Sequence, residues 1–209
     1  GADNATISFT PENTSVADFK ADIATLQSQG RKVLLSLGGQ NGIITLNTAA
    51  QKSAFVNSMK AIIDEYNFDG FDIDLEGGHS LQLDNGDNNF MNPTTPKVVN
   101  LIAASKEIIN YRKGKGKECW LTMAPETYYV QTAFGANYSP LVGAYLPVIH
   151  ALRNELTFIH PQYYNTGTVM GMDQKIYAQA TPDFIVAMTV MLLKGFPVMG
   201  TGQTFPALR

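Results

Sequence analysis

An acidic stretch between Phe68 and Gly78, reading FDGFDIDLEGG, constrains the fold of this chain more than any other segment. Bulky apolar and acidic residues alternate in it, which predicts a β-strand with two unlike faces. One face carries Asp72, Asp74 and Glu76, here called the carboxylate row, with about 6.5–7 Å between neighbouring positions on a strand. Because each carboxylate raises the free energy of ionising the next, the row indicates acid–base chemistry rather than a purely structural role.

Predicted strands and amphipathic helices alternate along the chain, which is typical of a parallel sheet with helices outside it. The predicted strands are 32–37, 68–76, 119–123 and 156–164; the predicted helices are 15–29, 49–66, 96–111, 141–154 and 181–193, followed by a Gly- and Pro-rich tail. A doubly wound open sheet and a (β/α)8 TIM barrel share this order. The carboxylate row favours the α/β TIM barrel, because helices normally cover both faces of an open sheet. No domain boundary is evident, so residues 1–209 are expected to belong to one domain.

Composition limits the partners that this chain can have. Of its 209 residues, 44% are hydrophobic and 16% are charged, which fits a globular protein with a substantial core. The net charge of −3 and the pI of about 5.6 argue against nucleic acid as a partner. No apolar run reaches the roughly 18 residues that a membrane span needs. The single cysteine, Cys119, excludes an intrachain disulfide.

Neither a metal nor another cofactor is predicted. The three histidines, His79, His150 and His160, lack the spacing of a zinc site. Residues 84–89 resemble part of a calcium-binding loop, but no glutamate follows at the required distance. Two alternatives for the carboxylate row stay open at this point: a divalent cation bound by the same carboxylates, and a solvated edge strand.

Glu76 ends the carboxylate row, at the carboxyl end of its predicted strand, where parallel barrels carry their reactive groups. Its acidic neighbours disfavour its ionisation, so that it is expected to retain a proton for donation. A general acid aimed at a leaving oxygen is the central requirement of glycoside hydrolysis. The row therefore favours a glycosidase over the two alternatives.

Four predicted strand ends resemble the motifs of family 18 glycoside hydrolases, the chitinase family. Residues 69–76 match D-G-x-D-x-D-x-E, and residues 36–39 match S-x-G-G. Residues 123–126 and 162–165 are similar to the family's M-A-P-E and Q-x-Y-N segments. The resemblance runs along the whole chain and is closest to single-domain bacterial chitinases.

The resemblance implies a role for each matching residue. Glu76 would be the general acid/base of a retaining reaction in which the substrate's 2-acetamido group is the nucleophile. Asp74 would orient that group, Asp72 would assist Asp74, and Tyr164 would donate its hydroxyl to the acetamido carbonyl. The implied substrate-binding residues are Ser36, Met123, Gln162 and Asn165.

The resemblance also implies a secreted enzyme that acts on chitin or chitooligosaccharides. An endo-β-N-acetylglucosaminidase acting on N-glycans would share the carboxylate row, and a lectin-like chitin-binding barrel is a non-catalytic alternative. The four predicted strands resemble the third to sixth of the family barrel. The chain is therefore expected to be a central fragment whose open sheet edges allow self-association, and whose activity alone is in question.

Overall fold

The computed structural model describes residues 4–208. The helices are α1 (Val16–Ser28), α2 (Ala49–Tyr66), α3 (Pro96–Gly114), α4 (Leu146–Leu152) and α5 (Pro182–Lys194). The strands are β1 (Leu34–Gly39), β2 (Gly70–Leu75), β3 (Trp120–Met123), β4 (Phe158–Ile159), β5 (Thr168–Met170), β6 (Ile176–Ala178), β7 (Phe196–Val198) and β8 (Gln203–Phe205). Short 3-10 turns follow β2 and β3, at Gly77–His79, Thr127–Tyr129 and Gln131–Phe134.

Strands β1 to β4 form one parallel sheet in the order β1-β2-β3-β4. A helix lies between each pair of consecutive strands in the sequence, and α3 packs against both α2 and α4. The predicted α/β architecture with a parallel sheet is therefore confirmed. Its register places Ser36 beside Asp72, and Asp72 beside Thr122, so three polar residues cross the middle of the sheet.

The apolar face of β2 lies in the hydrophobic core. Phe71, Ile73 and Leu75 are at most 1% exposed, and they belong to the same core cluster as the inward residues of α2 and α3. Burial of each such side chain contributes on the order of 1.5–3 kcal/mol. The other face of β2 carries Asp72 and Asp74, so the alternation in the sequence corresponds to a core face and a polar face.

Gly70, the second residue of the acidic motif, allows β2 and β3 to approach closely. A Cβ at this position would lie 1.9 Å from the carbonyl oxygen of Trp120 on β3. Backbone cannot yield as a flexible side chain does, so the residue that begins the strand of the carboxylate row has to be glycine. The register of β2 against β3, which pairs Gly70 with Trp120, depends on it.

The helix starts follow the sequence closely. Ser15 and Thr181 cap α1 and α5 through their side-chain oxygens, and Thr48 forms a capping box with Gln51 at the start of α2. Helix α4 is shorter than predicted: it begins at Leu146 rather than near residue 141, because residues 141–145 form turns. None of the described helices is long and apolar enough to cross a membrane.

Three segments differ from the predicted strands and tail. Strand β4 has two residues instead of the nine of 156–164, because Pro161 lacks the N–H that a continuing ladder needs. Pairing resumes only as an isolated parallel bridge between Glu126 and Gln162. The antiparallel hairpin β5–β6 was not predicted, and the Gly- and Pro-rich tail contains a second hairpin, β7–β8.

Candidate active site

Three side chains from three different strands or strand ends hold Asp72, which is 7% exposed. The hydroxyl of Ser36 on β1 donates to Oδ2 of Asp72 at 3.0 Å, and Oγ1 of Thr122 on β3 donates to Oδ1 at 2.5 Å. Nε2 of His160, just after β4, lies 2.8 Å from the same Oδ1. Asp72 is therefore anchored by hydrogen bonds on both of its carboxylate oxygens.

Asp74 lies one position further along the same face and is less well compensated. Burial raises its pKa, and the negative charge of Glu76 raises it further. The Nε2 of Gln162 donates to Oδ1 of Asp74 at 2.9 Å and opposes this shift, while Asp72 adds a smaller upward effect. Asn165 donates in turn to Oε1 of Gln162 at 3.2 Å. Asp74 thus binds a proton more readily than an ordinary aspartate.

The turn after β1 lies directly against the carboxylate row. Gly38 pairs with Asp74 in the register of β1 and β2. Its φ of +108° is in the left-handed region, and a Cβ on it would lie 2.4 Å from the carbonyl oxygen of Asp74. Gly38, the first glycine of the S-x-G-G segment, therefore allows close packing beside the acids, whereas a Cβ on Gly39 would meet no atom within 4 Å.

The carboxyl end of β2 is held by a buried phenol. The hydroxyl of Tyr145 accepts a hydrogen bond from the N–H of Leu75 and donates one to its carbonyl oxygen, each at 2.8 Å. Complete burial raises the pKa of Tyr145 well above its ordinary value, so the hydroxyl keeps the proton that it donates. Ser80 also donates to the carbonyl oxygen of Leu75, at 2.9 Å. Glu76 follows directly in extended conformation and is partly exposed.

Two of the predicted site residues are not joined to this network. Tyr164 is 69% exposed, and within residues 4–208 its hydroxyl forms no hydrogen bond. Met123 is fully buried in the hydrophobic core and pairs with Ile73 of β2, whereas its neighbour Thr122 pairs with Asp72. Strand alternation directs Met123 to the core face, and its place in the substrate subsite stays a prediction.

Sequence reasoning missed three residues that contact the acidic strand: Thr122, His160 and Tyr145. The first two had a usable signal, since Thr122 is a polar residue within an apolar strand, and His160 precedes Gln162 by two positions. The spacing of the histidines bears only on metal binding and gives no hint of this contact. Tyr145 gave no signal, because it lies in a segment that was predicted as an ordinary amphipathic helix.

The arrangement of the carboxylate row suits proton transfer to or from a bound ligand. Asp72 is fixed, Asp74 has a raised pKa, and Glu76 is partly exposed at the strand end, where it can reach a ligand. Across the part of the chain that the structure describes, no group of three or more His, Cys, Asp or Glu side chains could hold a metal ion.

Comparison with known proteins identifies the family to which this chain belongs. Residues 2–197 match the model of the glycosyl hydrolases family 18. Chitinase Chi52 of Paenibacillus xylanexedens is 55% identical over 207 residues, covering 99% of this chain and 39% of that protein. Chitinase D of Niallia circulans is 54% identical over 208 residues, with the same two coverages.

Among solved structures, a family GH18 chitinase from Chromobacterium violaceum superimposes with a TM-score of 0.87 and 41% sequence identity. The superposition covers 100% of this chain and 53% of that chain. The present chain therefore spans about two fifths of the two curated relatives and about half of the solved one. Its four parallel strands correspond to part of a family barrel, as the motif order predicts.

Proposed function

This chain belongs to glycosyl hydrolase family 18, and from that premise we propose that the full-length natural protein is a retaining chitinase. Its substrates would be chitin and chitooligosaccharides, cleaved at β-1,4 linkages between N-acetylglucosamine units. The observation that carries the proposal is the row of Asp72, Asp74 and Glu76 at one strand end, with a raised pKa at its middle member. Because the polymer is insoluble and does not enter cells, we place the activity outside the cell.

Glu76 is the general acid/base in this proposal. Its carboxylic acid donates a proton to the glycosidic oxygen while the bond from that oxygen to the anomeric carbon breaks. The carbonyl oxygen of the substrate's own 2-acetamido group attacks the anomeric carbon and forms an oxazolinium ion. The Glu76 carboxylate then takes a proton from a water molecule. The oxygen of that water attacks the anomeric carbon and opens the oxazolinium ring, so the configuration at the anomeric carbon is retained.

Asp74 orients the acetamido group by accepting its N–H and stabilises the positive charge that develops on it. Its raised pKa suits this role, because a carboxyl that exchanges its proton easily can respond to the charge on Glu76 and on the substrate. Asp72, anchored by Ser36, gives the fixed negative charge behind it. In the same proposal, Tyr164 donates to the acetamido carbonyl, and its 69% exposure leaves it accessible to a ligand.

Gln162 and Asn165 complete the proposed subsite. Gln162 already donates to Asp74, and Asn165 donates to Gln162, so both side chains are ordered before substrate arrives. Prior ordering reduces the entropy that is lost on binding and aligns the attacking oxygen with the anomeric carbon.

Release of a fluorophore from a chitobioside by the full-length natural protein tests the role of Glu76. We expect Glu76→Gln to lower turnover by at least about 10²-fold, because it removes the transferable proton while keeping the shape of the side chain. Glu118→Gln is the matched control, because Glu118 is exposed and lies far from the carboxylate row in the sequence. The turnover of the Glu118→Gln variant should equal that of wild type.

Equal turnover in Glu76→Gln and wild type would exclude Glu76 as the acid. Binding of chitooligosaccharide without turnover in any variant would identify the non-catalytic alternative. Release of glycans from an N-glycoprotein, with no action on chitin, would identify the endo-β-N-acetylglucosaminidase instead.

A further inference from the structure

The two peptide units that meet at Gly77, directly after the proposed acid, are each held by a side chain. The N–H of Gly77, the residue directly after Glu76, donates to Oε1 of Glu126 at 2.7 Å. The carbonyl oxygen of Gly77 accepts a hydrogen bond from the hydroxyl of Tyr129 at 3.0 Å. Both side chains come from the segment after β3, and Glu126 and Tyr129 are only 8% and 6% exposed. With Tyr145 on Leu75, the backbone is therefore fixed before and after Glu76.

The segment that carries Glu126 is itself fixed to the next strand end. Glu126 and Gln162 form a parallel backbone bridge, and the N–H of Gln162 donates to the carbonyl oxygen of Pro125 at 2.9 Å. The side chain of Gln162 donates both to the carbonyl oxygen of Ala124, at 3.2 Å, and to Asp74, at 2.9 Å. One short segment, 124–126, thus connects the backbone beside Glu76 with the side chain of Asp74.

Glu126 is an unusual choice for a purely structural position. Among residues 4–208, no Lys, Arg or His forms an ion pair with it. Burying a carboxylate without a cation costs free energy, and hydrogen bonds donated to the carboxylate reduce that cost. The short bond to Gly77 is such a charge-assisted hydrogen bond, and it is directed at the peptide that joins Glu76 to Gly77, one of the two that set where Glu76 points.

We propose that Glu126 is a positioning residue for Glu76 and that it acts through the Gly77 peptide; this rests on the proposed role of Glu76 as acid. Glu126 holds the Glu76–Gly77 peptide and so fixes the direction in which the acid leaves the strand, and Tyr129 holds the next peptide, Gly77–Gly78. A loss of alignment of about 1 Å at a reacting group costs on the order of 10²-fold in rate. Substrate contacts elsewhere in the subsite do not pass through Gly77, so binding should change little.

Kinetics of chitooligosaccharide hydrolysis by the full-length natural protein test this proposal. We expect Glu126→Ala to lower kcat by about 10²-fold with KM within about threefold of wild type. Glu126→Gln keeps a carbonyl oxygen in the same place as acceptor for Gly77, so its kcat should stay within about tenfold of wild type. Tyr129→Phe removes only the hydroxyl and should lower kcat by a smaller factor than Glu126→Ala does. This variant is the substitute test if Glu126→Ala does not fold.

Amide hydrogen exchange of Gly77, followed by NMR, gives a readout that does not depend on catalysis. We expect the Gly77 N–H to be protected in wild type and in Glu126→Gln, and to exchange at least about tenfold faster in Glu126→Ala. Wild-type kcat in Glu126→Ala, or a loss in Glu126→Gln as large as in Glu126→Ala, would overturn the positioning role. If wild type itself does not hydrolyse the substrate, the proposed function fails, while the exchange rates still decide whether Glu126 holds Gly77.

Discussion

Asp74 combines a cost to stability with the proposed chemistry. It lies between two other acids, it is partly buried, and its pKa is raised chiefly by burial and by the charge of Glu76. Gln162 donates one hydrogen bond to it, and Asp72 receives three. Because the surroundings of Asp74 do not fully compensate its negative charge, removal of that charge should raise the free energy of unfolding and lower the catalytic rate.

We predict that Asp74→Asn makes the protein more stable and less active. At neutral pH the free energy of unfolding should rise by about 0.5–1 kcal/mol, a figure that allows for solvent screening of a partly exposed group. Turnover on a chitobioside should fall by about 10²–10³-fold, because the acetamido group loses its orienting anion. Urea unfolding and fluorophore release from the full-length natural protein measure the two effects.

The stability gain has a defined pH dependence. Because the pKa of Asp74 is raised in the folded state, the folded state binds this proton more tightly than the unfolded state does. Wild type therefore loses stability relative to Asp74→Asn as the pH rises through the raised pKa. The gain should therefore be full at neutral pH and vanish below the ordinary value of 3.8. Asp84→Asn, at an exposed position, is the control and should leave stability at neutral pH little changed. A stability loss in Asp74→Asn at neutral pH would contradict the argument.

At the level of single residues, the sequence predicted the row itself but not its neighbours. Period-two alternation was sufficient to put Asp72 and Asp74 on one face, opposite Ile73. The partners Thr122, on β3, and His160, just after β4, come from other parts of the sheet, and which residues lie side by side depends on register between strands that are far apart in sequence. The same register explains why Met123, adjacent to Thr122, pairs with Ile73 and packs in the core.

Among the elements, the contact of β2 with β3 tolerates no side chain at Gly70. We predict that Gly70→Ala destabilises the protein by about 3 kcal/mol, because its Cβ would meet the Trp120 carbonyl oxygen at 1.9 Å and separate the two strands. Turnover should fall as well, since the carboxylate row begins two residues later. Urea unfolding followed by circular dichroism measures the change in stability.

Gly114, the last residue of α3, provides the matched control. Its Cβ would meet no atom within 4 Å, and alanine has the higher helix propensity, so Gly114→Ala should leave stability unchanged or slightly raised. Equal effects of the two substitutions would show that the close approach of β2 and β3 does not hold in solution.

Helices were easier to predict than strands, for physical reasons. A side-chain cap and an apolar stripe are local signals, and Ser15, Thr48 and Thr181 begin α1, α2 and α5 in the expected places. The predicted range of β4, 156–164, is too long because it includes Pro161, which has no N–H for the ladder. The two hairpins have strands of only three residues, which is too short for a periodic signal to emerge.

At the scale of the whole molecule, the described residues form an open sheet of four parallel strands. Strands β1 and β4 are each paired on one side only, and the chain aligns with 39% of Chi52 from Paenibacillus xylanexedens. Unpaired edges are sites at which further strands or a second copy can add. Self-association of residues 1–209 on their own stays a prediction.

The central claim is that the carboxylate row catalyses hydrolysis with retention at the anomeric carbon. Proton NMR of the first products that the full-length natural protein releases from a chitooligosaccharide tests it most directly, before the anomers equilibrate. The account predicts that the new reducing ends appear first as the β-anomer and change to α only afterwards. Initial appearance of the α-anomer would mean direct attack by water and would contradict the account.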